Sequence, residues 1–158
     1  MNDTTRAAAD SIHPFGTTHG ETAAPLGCGP CDIVKPADRE KAPKFLCALV
    51  SHFQKIELLP SERKGNRKSL RPGLPGFGCK HCTEVGRFGM SRVFPARRRT
   101  LPARVEDMYQ HIRRCNLCPA EAKMTLARLQ EEERQDPPRE KKFLDLVWER
   151  LGHNQANP

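Results

Sequence analysis

The chain has 158 residues, of which 37% are hydrophobic and 6% aromatic, and it carries a formal net charge of +8 at pH 7. This length suits one compact domain, or a small domain with tails, and the lean composition predicts a modest core that needs support beyond apolar burial. No run of about 18 apolar residues could span a membrane, and the N-terminal segment lacks the basic start and apolar stretch of a secretory signal, so we expect a nuclear or cytoplasmic protein that is not secreted.

The N-terminal third divides into a tail and a predicted helix. Residues 1–42 mix Ala, Thr, Gly, Pro and His with almost no apolar periodicity, which predicts a disordered tail. Between Pro43 and Pro60, which suit the start and the stop of a helix, apolar residues recur at helical spacing: Phe45, Leu46, Leu49, Val50, Phe53 and Ile56. Cys47 and His52 fall within this predicted helix, and we interpret both as packed or surface side chains rather than as ligands.

The middle of the chain contains a basic loop and a cysteine motif. Residues 61–76 form a loop interrupted by glycine and proline, and a Cys-x-x-Cys pair follows at Cys79 and Cys82. A short strand is predicted around residues 92–94. A helix is predicted over residues 101–114, because it carries an apolar stripe that belongs to the core: Val105, Met108, Tyr109 and Ile112.

Two further helices are predicted after Pro119, over about residues 119–134 and 138–151, with Gly152 closing the last one. The whole pattern indicates an α+β fold, mostly α, in which a small zinc finger (a β-hairpin plus a helix) is flanked by helices. We place the folded domain at residues 43–152, the zinc module at about 76–118, and a frayed tail at 153–158.

The spacing of cysteine and histidine predicts one zinc ion. Seven cysteines in a chain without an export signal favour metal ligation over disulfides. Cys79 and Cys82 have the spacing of a metal knuckle, and His111 and Cys115 are four residues apart on a predicted helix, so they project from one face. These four residues would form a closed tetrahedral site, which is the usual form of structural zinc and argues against an enzyme.

Cys118 leaves an alternative open. The segment from Cys115 to Cys118 is itself a knuckle spacing, so Cys118 could replace His111 and close a four-cysteine site. His81, between the first two cysteines, is interpreted as a surface residue. Near the N-terminus, Cys28 and Cys31 enclose a Gly-Pro pair as in thioredoxins, but the surrounding sequence does not predict the βαβ context of a redox enzyme, and a second metal site there would need distant partners such as His13 and His19.

Three segments together resemble known zinc-finger proteins. A glycine-led cysteine motif in residues 75–82, a Phe-Pro strand in 93–95 and a His-x-x-x-Cys helix end in 109–119 are followed by the closing run FLDLVWERL. Over about residues 44–151 this combination resembles a diatom-type zinc-finger family, and it is similar in turn to the BED-type zinc finger, a DNA-binding module. A BED finger usually has aromatic residues well ahead of its first cysteine and no further Cys-Pro after its ligands. The resemblance implies zinc binding and DNA binding.

The positive charge is concentrated on the same segment as the predicted ligands. Residues 61–114 contain fourteen Lys/Arg against four Asp/Glu. A concentrated basic segment attracts polyanions, nucleic acid first among them, although it can also be only a solvated surface. We expect DNA rather than RNA as the partner, contacted by arginines at or before the first turn of the finger helix: Arg92, Arg97, Arg98, Arg99 and Arg104. The alternative is a zinc-stabilised protein-interaction module that docks a protein partner through the helices of residues 119–151.

Overall fold

The computed structural model describes residues 33–133 and 137–153. Within them the chain forms three strands and five α-helices joined by loops and short 3₁₀ turns. The strands are β1 (Phe53–Glu57), β2 (Pro75–Cys79) and β3 (Arg92–Val93), and the helices are α1 (Lys44–Val50), α2 (Lys80–Glu84), α3 (Leu101–Arg114), α4 (Ala120–Glu132) and α5 (Pro137–Leu151). The predicted α+β class, mostly helical, is confirmed.

The three strands form one antiparallel sheet in the order β1-β2-β3. Phe53 of β1 lies opposite Cys79 of β2, and Phe77 of β2 lies opposite Val93 of β3. β2 is buried along its whole length, and the Phe53 and Phe77 rings stack with their centroids 4.8 Å apart. The central strand β2 is therefore hydrogen-bonded to a neighbouring strand on each side, and its last residue, Cys79, is the first predicted metal ligand.

The single helix predicted between Pro43 and Pro60 is wrong in its second half. α1 ends at Val50, the N–H of His52 donates to the carbonyl of Leu49, and the chain turns into β1. The apolar residues Phe53 and Ile56 are buried as predicted, but from a strand. Pairing with a buried β2 satisfies the backbone of residues 53–57, and this long-range ladder outweighs the helical spacing of the side chains.

The predicted boundaries of the folded domain also need correction. Ile33 and Ala42 belong to the main core, so the fold begins at least ten residues before Pro43. At the other end His153, predicted to fray, is buried and stacks on Trp148 with ring centroids 3.7 Å apart. The remaining predicted tails, residues 1–32 and 154–158, lie outside the described residues.

The helices predicted in the C-terminal half are confirmed with small shifts in their ends. α3 buries its predicted apolar stripe, and Gly152 ends α5 in the left-handed region, with φ of 95°. α4 packs on α1. The N–H of Lys44, the first residue of α1, donates a hydrogen bond of 2.6 Å to the carboxylate of Glu133, which follows α4. None of the helices within the described ranges is long and apolar enough to cross a membrane.

The corrected N-terminal boundary is supported by a largely buried ion pair between α5 and the segment before α1, and its contribution to stability can be measured. Arg150 of α5 donates to both carboxylate oxygens of Asp38, and the Nη2–Oδ1 distance is 2.9 Å. The two side chains are only 20% and 9% exposed. Because charged hydrogen bonds away from solvent contribute about 1.5–3 kcal/mol, Arg150→Met should lower the free energy of unfolding by that amount in urea denaturation. Arg128→Met, which breaks an exposed pair on α4, should cost about 0.3–0.5 kcal/mol.

The same pair predicts a pH dependence. The hydrogen bond from Arg150 is the main reason that the pKa of Asp38 is lowered from its ordinary value of 3.8. A carboxyl with a depressed folded pKa stabilises the fold above its unfolded pKa and loses this contribution as the pH falls through the folded pKa. The stability difference between wild type and Arg150→Met should therefore be full above about pH 4 and shrink below it; a difference that is constant down to pH 2 would contradict the pairing.

Candidate metal centre

The first two predicted ligands lie where β2 runs into α2. Cys79 is the last residue of the strand. Its N–H donates a hydrogen bond of 2.8 Å to the carbonyl of Ser91, the residue before β3. Cys82 follows in the first turn of α2, and its carbonyl accepts a hydrogen bond of 2.8 Å from the N–H of Arg87. Because both backbones are held by the sheet and the adjoining loop, both sulfurs are buried in fixed positions.

The second two predicted ligands lie at the C-terminal end of α3. His111 is in the last turn of the helix, while Cys115 is the residue after it, with extended backbone angles (φ −71°, ψ 117°). The predicted pairing of these two residues on one helical face therefore holds only in part, since Cys115 already leaves the helix. The buried stripe of α3 includes Met108 and Ile112, and its packing places α3 against β2. It also brings His111 to the Cys82 sulfur of α2.

All four predicted ligands are brought together. One ligand atom from each of Cys79, Cys82, His111 and Cys115 lies within 4.8 Å of the others, so the cluster could hold a metal ion. The Cys82 sulfur is 3.4 Å from Nε2 of His111 and 3.6 Å from the Cys115 sulfur. A disulfide needs about 2.05 Å between sulfurs, and these cysteines are free thiols.

Burial and hydrogen bonds shift the pKa values of the three thiols and the imidazole of this cluster. Burial raises the pKa of Cys79, and burial together with a hydrogen bond to Cys115 raises the pKa of Cys82 to about 12. Burial also opposes ionisation of Cys115, but hydrogen bonds from the backbone N–H of Leu117 and from Cys82 lower its pKa overall. Burial lowers the pKa of His111, which favours the neutral, metal-binding imidazole. A metal ion must displace thiol protons here, so its affinity falls as the pH falls.

The alternative ligand Cys118 belongs to a different group. Its sulfur lies within 4.8 Å of ring nitrogens of His52 and His81, which form a second cluster that could hold a metal ion. His52 and His81 are both half-buried, and the cluster offers them a ligand role that the interpretation as packed or surface side chains did not include. Cys47 is a buried core residue outside both clusters, as expected. Burial lowers the pKa of His52 to about 4 and lowers that of His81, so both rings are neutral at pH 7.

Arg92 is not available to a nucleic acid, which corrects one predicted contact. It is only 6% exposed, and its Nε lies 2.8 Å from a carboxylate oxygen of Glu62. The same guanidinium donates 3.1 Å to the carbonyl of Glu57 and lies 5.0 Å from the ring centroid of Phe88 and 5.8 Å from that of Phe94. Arg92 therefore joins β3 to the loop after β1, and Glu62 is a structural partner that sequence reasoning missed.

The four other predicted arginines are exposed around the start of α3, but not all are free of acidic partners. Arg98 pairs with Asp145 at 2.6 Å and Arg104 pairs with Asp107 at 2.6 Å. Among the described residues, Arg97 and Arg99 have no ion pair, and both side chains are exposed. These two are therefore the exposed arginines of the predicted set that have no acidic partner within the described part of the chain.

The remaining sequence motif cannot be placed. Cys28 and Cys31, with His13 and His19, lie outside the described residues. Comparison of the chain with protein-family models, with curated proteins and with solved structures finds no match.

Proposed function

We propose that the chain is a zinc-binding protein that binds DNA through the basic surface of its metal-built module. The cluster of Cys79, Cys82, His111 and Cys115 is the observation that carries the proposal. Tetrahedral zinc with Zn–S bonds of about 2.3 Å and Zn–N bonds of about 2.0–2.1 Å separates two sulfurs by about 3.8 Å and a sulfur from a nitrogen by about 3.6 Å. The separations of 3.6 Å and 3.4 Å between these ligand atoms are close to those values.

The donor set favours zinc in a structural role. Three thiolates and one imidazole are soft or borderline ligands, which favour zinc over magnesium or calcium. Four protein ligands leave no open coordination position for water or substrate, so the ion would hold the end of β2, α2 and the end of α3 together without catalysing a reaction. This is the support that a small core of modest hydrophobicity needs.

The DNA-binding part of the proposal depends on the position of the exposed arginines. Arg97, Arg98 and Arg99 immediately precede α3, and Arg104 lies in its first two turns. In fingers that place a helix in the major groove, this end of the helix meets the DNA. Guanidinium groups there can contact phosphates or guanine edges, and Arg97 and Arg99 would do so without first breaking an ion pair.

A groove beside the metal cluster adds a second basic surface. It encloses about 870 Å³ between the loop after β1, the edge strand β3 and α3. His111 reaches its wall, and its polar lining includes Arg67, Arg104, Arg114, Asn66, Gln110 and one acidic residue, Asp107. Arg67 is paired with Glu62 and Arg104 with Asp107, so Arg114 is the lining arginine that has no ion pair among the described residues. Positive and amide side chains around a groove of this kind supply phosphate and base-edge donors. The groove thus extends the arginine surface from the start of α3 toward its metal-binding end.

The test is the salt dependence of binding to a labelled random-sequence duplex, measured by fluorescence anisotropy. The slope of log K against log salt becomes shallower by about 0.9 for each phosphate that the protein no longer neutralises, so the double variant Arg97→Ala/Arg99→Ala should bind more weakly with a slope about 1.8 shallower. Arg128→Ala removes an exposed arginine from α4 and serves as the control for loss of charge. Its slope should match that of wild type, because no phosphate contact is lost.

Equal slopes for wild type and the double variant would exclude Arg97 and Arg99 as phosphate contacts. No detectable binding of wild type to duplex DNA at low salt would favour the protein-interaction alternative. In that case the exposed apolar residues of the C-terminal helices, Met124 on α4 and Leu146 on α5, are the first positions to substitute in a search for a docking surface.

A further inference from the structure

The second cluster joins three segments that are far apart in the chain. His52 lies in the turn between α1 and β1, His81 lies in α2, and Cys118 lies in the turn between α3 and α4. Nδ1 of His52 is 3.3 Å from Nε2 of His81, and both histidines have a ring nitrogen within 4.8 Å of the Cys118 sulfur. No single local sequence motif brings these three metal-binding side chains together; their meeting depends on the packing of all three segments.

The sheet register explains how the two histidines meet. Phe53 lies opposite Cys79, so the preceding residue His52 lies beside Lys80, and the N–H of Lys80 donates 3.0 Å to the carbonyl of His52. The next residue, His81, is in the first turn of α2, and its ring packs beside that of His52 with centroids 5.5 Å apart and planes tilted by 36°. The backbone hydrogen bond between the two segments therefore holds the pair in place.

Cys118 reaches the histidines because the chain turns sharply after α3. The N–H of Cys118 donates 3.3 Å to the carbonyl of Cys115, which closes the turn, and Pro119 then starts the approach to α4. Cys118 is only 4% exposed, whereas the two histidines are half-buried. The sulfur is thus at the buried end of the cluster, and the imidazoles are at the end that solvent can reach.

The distance between the two ring nitrogens fits a shared ion. Two imidazole nitrogens at about 2.0–2.1 Å from a tetrahedral zinc are about 3.3–3.4 Å apart, and the observed separation is 3.3 Å. A direct hydrogen bond between neutral histidines also fits this separation and is the simpler alternative. The observation that favours a shared ion is the Cys118 sulfur, which lies within 4.8 Å of a nitrogen of each ring.

We propose that His52, His81 and Cys118 bind a second divalent transition-metal ion of the zinc class, with a water molecule in the fourth position. Two nitrogens and one sulfur suit zinc or cobalt rather than magnesium or calcium. Three protein ligands with an accessible fourth position characterise zinc that exchanges ligands, in contrast to the closed first cluster. The second ion ties the α1–β1 turn and the α3–α4 turn to α2, and it is the more easily removed of the two.

The knuckle motifs would then be divided between two ions. Cys79 and Cys82 face the first cluster, while His81 between them faces the second. Likewise Cys115 faces the first cluster and Cys118 the second. This division gives a function to the histidine inside the first motif and to the cysteine that follows the second ligand pair.

The experiment counts zinc ions bound to the full chain at equilibrium with micromolar free zinc, by elemental mass spectrometry of the desalted protein and by native mass spectrometry. His52→Gln/His81→Gln should bind one ion fewer than wild type, and so should Cys118→Ser. Cys47→Ser, which changes another buried cysteine outside both clusters, should bind the wild-type number. In wild type, a chelator should remove one ion at least ten times faster than the other, and this fast phase should be absent in the double variant.

Cobalt substitution identifies the ligands independently of the count. The difference spectrum between wild type and the double histidine variant should contain a sulfur-to-cobalt charge-transfer band, because the second ion carries the Cys118 thiolate. Equal ion counts in wild type and the double variant would overturn the proposal. So would a loss of the first ion in Cys118→Ser combined with its retention in His111→Gln, because that result assigns Cys118 to a four-cysteine first site. Near-ultraviolet circular dichroism of each variant establishes that the counts refer to folded protein.

Discussion

Cys82→Ala is expected to lose the first metal ion and with it the native fold. The Cys82 sulfur lies close to both the His111 nitrogen and the Cys115 sulfur, so its removal leaves the cluster open between α2 and α3. Structural zinc contributes apparent binding free energies of about 10–16 kcal/mol, whereas whole domains are stable by about 5–15 kcal/mol. The metal content and the near-ultraviolet circular dichroism should therefore both fall to the level of the unfolded chain.

Cys47→Ala is the matched control for this experiment. Cys47 is buried in the same core, but its sulfur belongs to neither metal cluster. This variant should keep its metal and its native spectrum, and removal of metal by a chelator should unfold it as it unfolds wild type. A Cys82→Ala protein that is metal-free yet well folded would show that apolar packing alone sustains the domain, and it would contradict the structural role of the ion.

Gly76→Ala is expected to separate β3 from β2. A Cβ at Gly76 would lie 2.3 Å from the carbonyl oxygen of Val93 and 2.6 Å from Cδ1 of Phe94. The first of these is a backbone atom of the neighbouring strand, so the clash cannot be relieved by rotating a side chain. Overpacking a well-filled core costs about 1–3 kcal/mol, and we expect the upper end of this range or more in urea unfolding of the metal-loaded protein.

Gly78→Ala, two residues further along β2, is the graded control. Its Cβ would lie 3.1 Å from the carbonyl oxygen of Ser91 and 3.3 Å from the Thr83 hydroxyl, so small shifts can accommodate it. The cost should be about 1 kcal/mol, at the lower end of the same range. Equal stabilities for the two variants would indicate that β3 can move away from β2 without a penalty, and that the close approach at Gly76 does not hold the strands together.

Much of the first metal cluster was predictable from the sequence because its ligands come in two local pairs. A Cys-x-x-Cys spacing orients two sulfurs through the backbone between them, and the i,i+4 spacing of His111 and Cys115 places both near one end of α3. The amphipathic stripe of α3 indicates which side of that helix faces the core, and the position of the His111 ring follows from it. These properties depend on residues close together in the sequence, so a wrong secondary-structure prediction elsewhere in the chain does not change them.

The second cluster was not predictable, because its geometry depends on pairing between residues about thirty positions apart. The periodicity of residues 43–60 indicates a helix, and on a helix His52 has no reason to meet His81. Only the β1–β2 register, with Phe53 opposite Cys79, brings the two rings together. A histidine placed between two knuckle cysteines was the available signal, but by itself it does not name a partner.

The charge count of the sequence did not predict which basic residues are exposed on the surface. The sequence places ten more basic than acidic residues in 61–114, fourteen against four, yet it cannot show which cations the fold itself uses. Arg92 is buried against Glu62, thirty residues away, whereas Arg97 and Arg99 remain exposed. The difference arises because β3 lies against the loop after β1, which supplies the carboxylate of Glu62, whereas the turn before α3 faces solvent.

The sequence alone predicted the four residues that converge in the first cluster, with Cys118 left open as an alternative to one of them. It also predicted the extents of α3, α4 and α5 to within a few residues and the mostly helical class. These depend on side-chain chemistry and on periodicities of a few residues. The tertiary structure decided the strand β1, the packing of Ile33 onto the core and the meeting of His52, His81 and Cys118. Each of these arises from contacts between distant segments, whose free energy is realised only when the whole core closes around them.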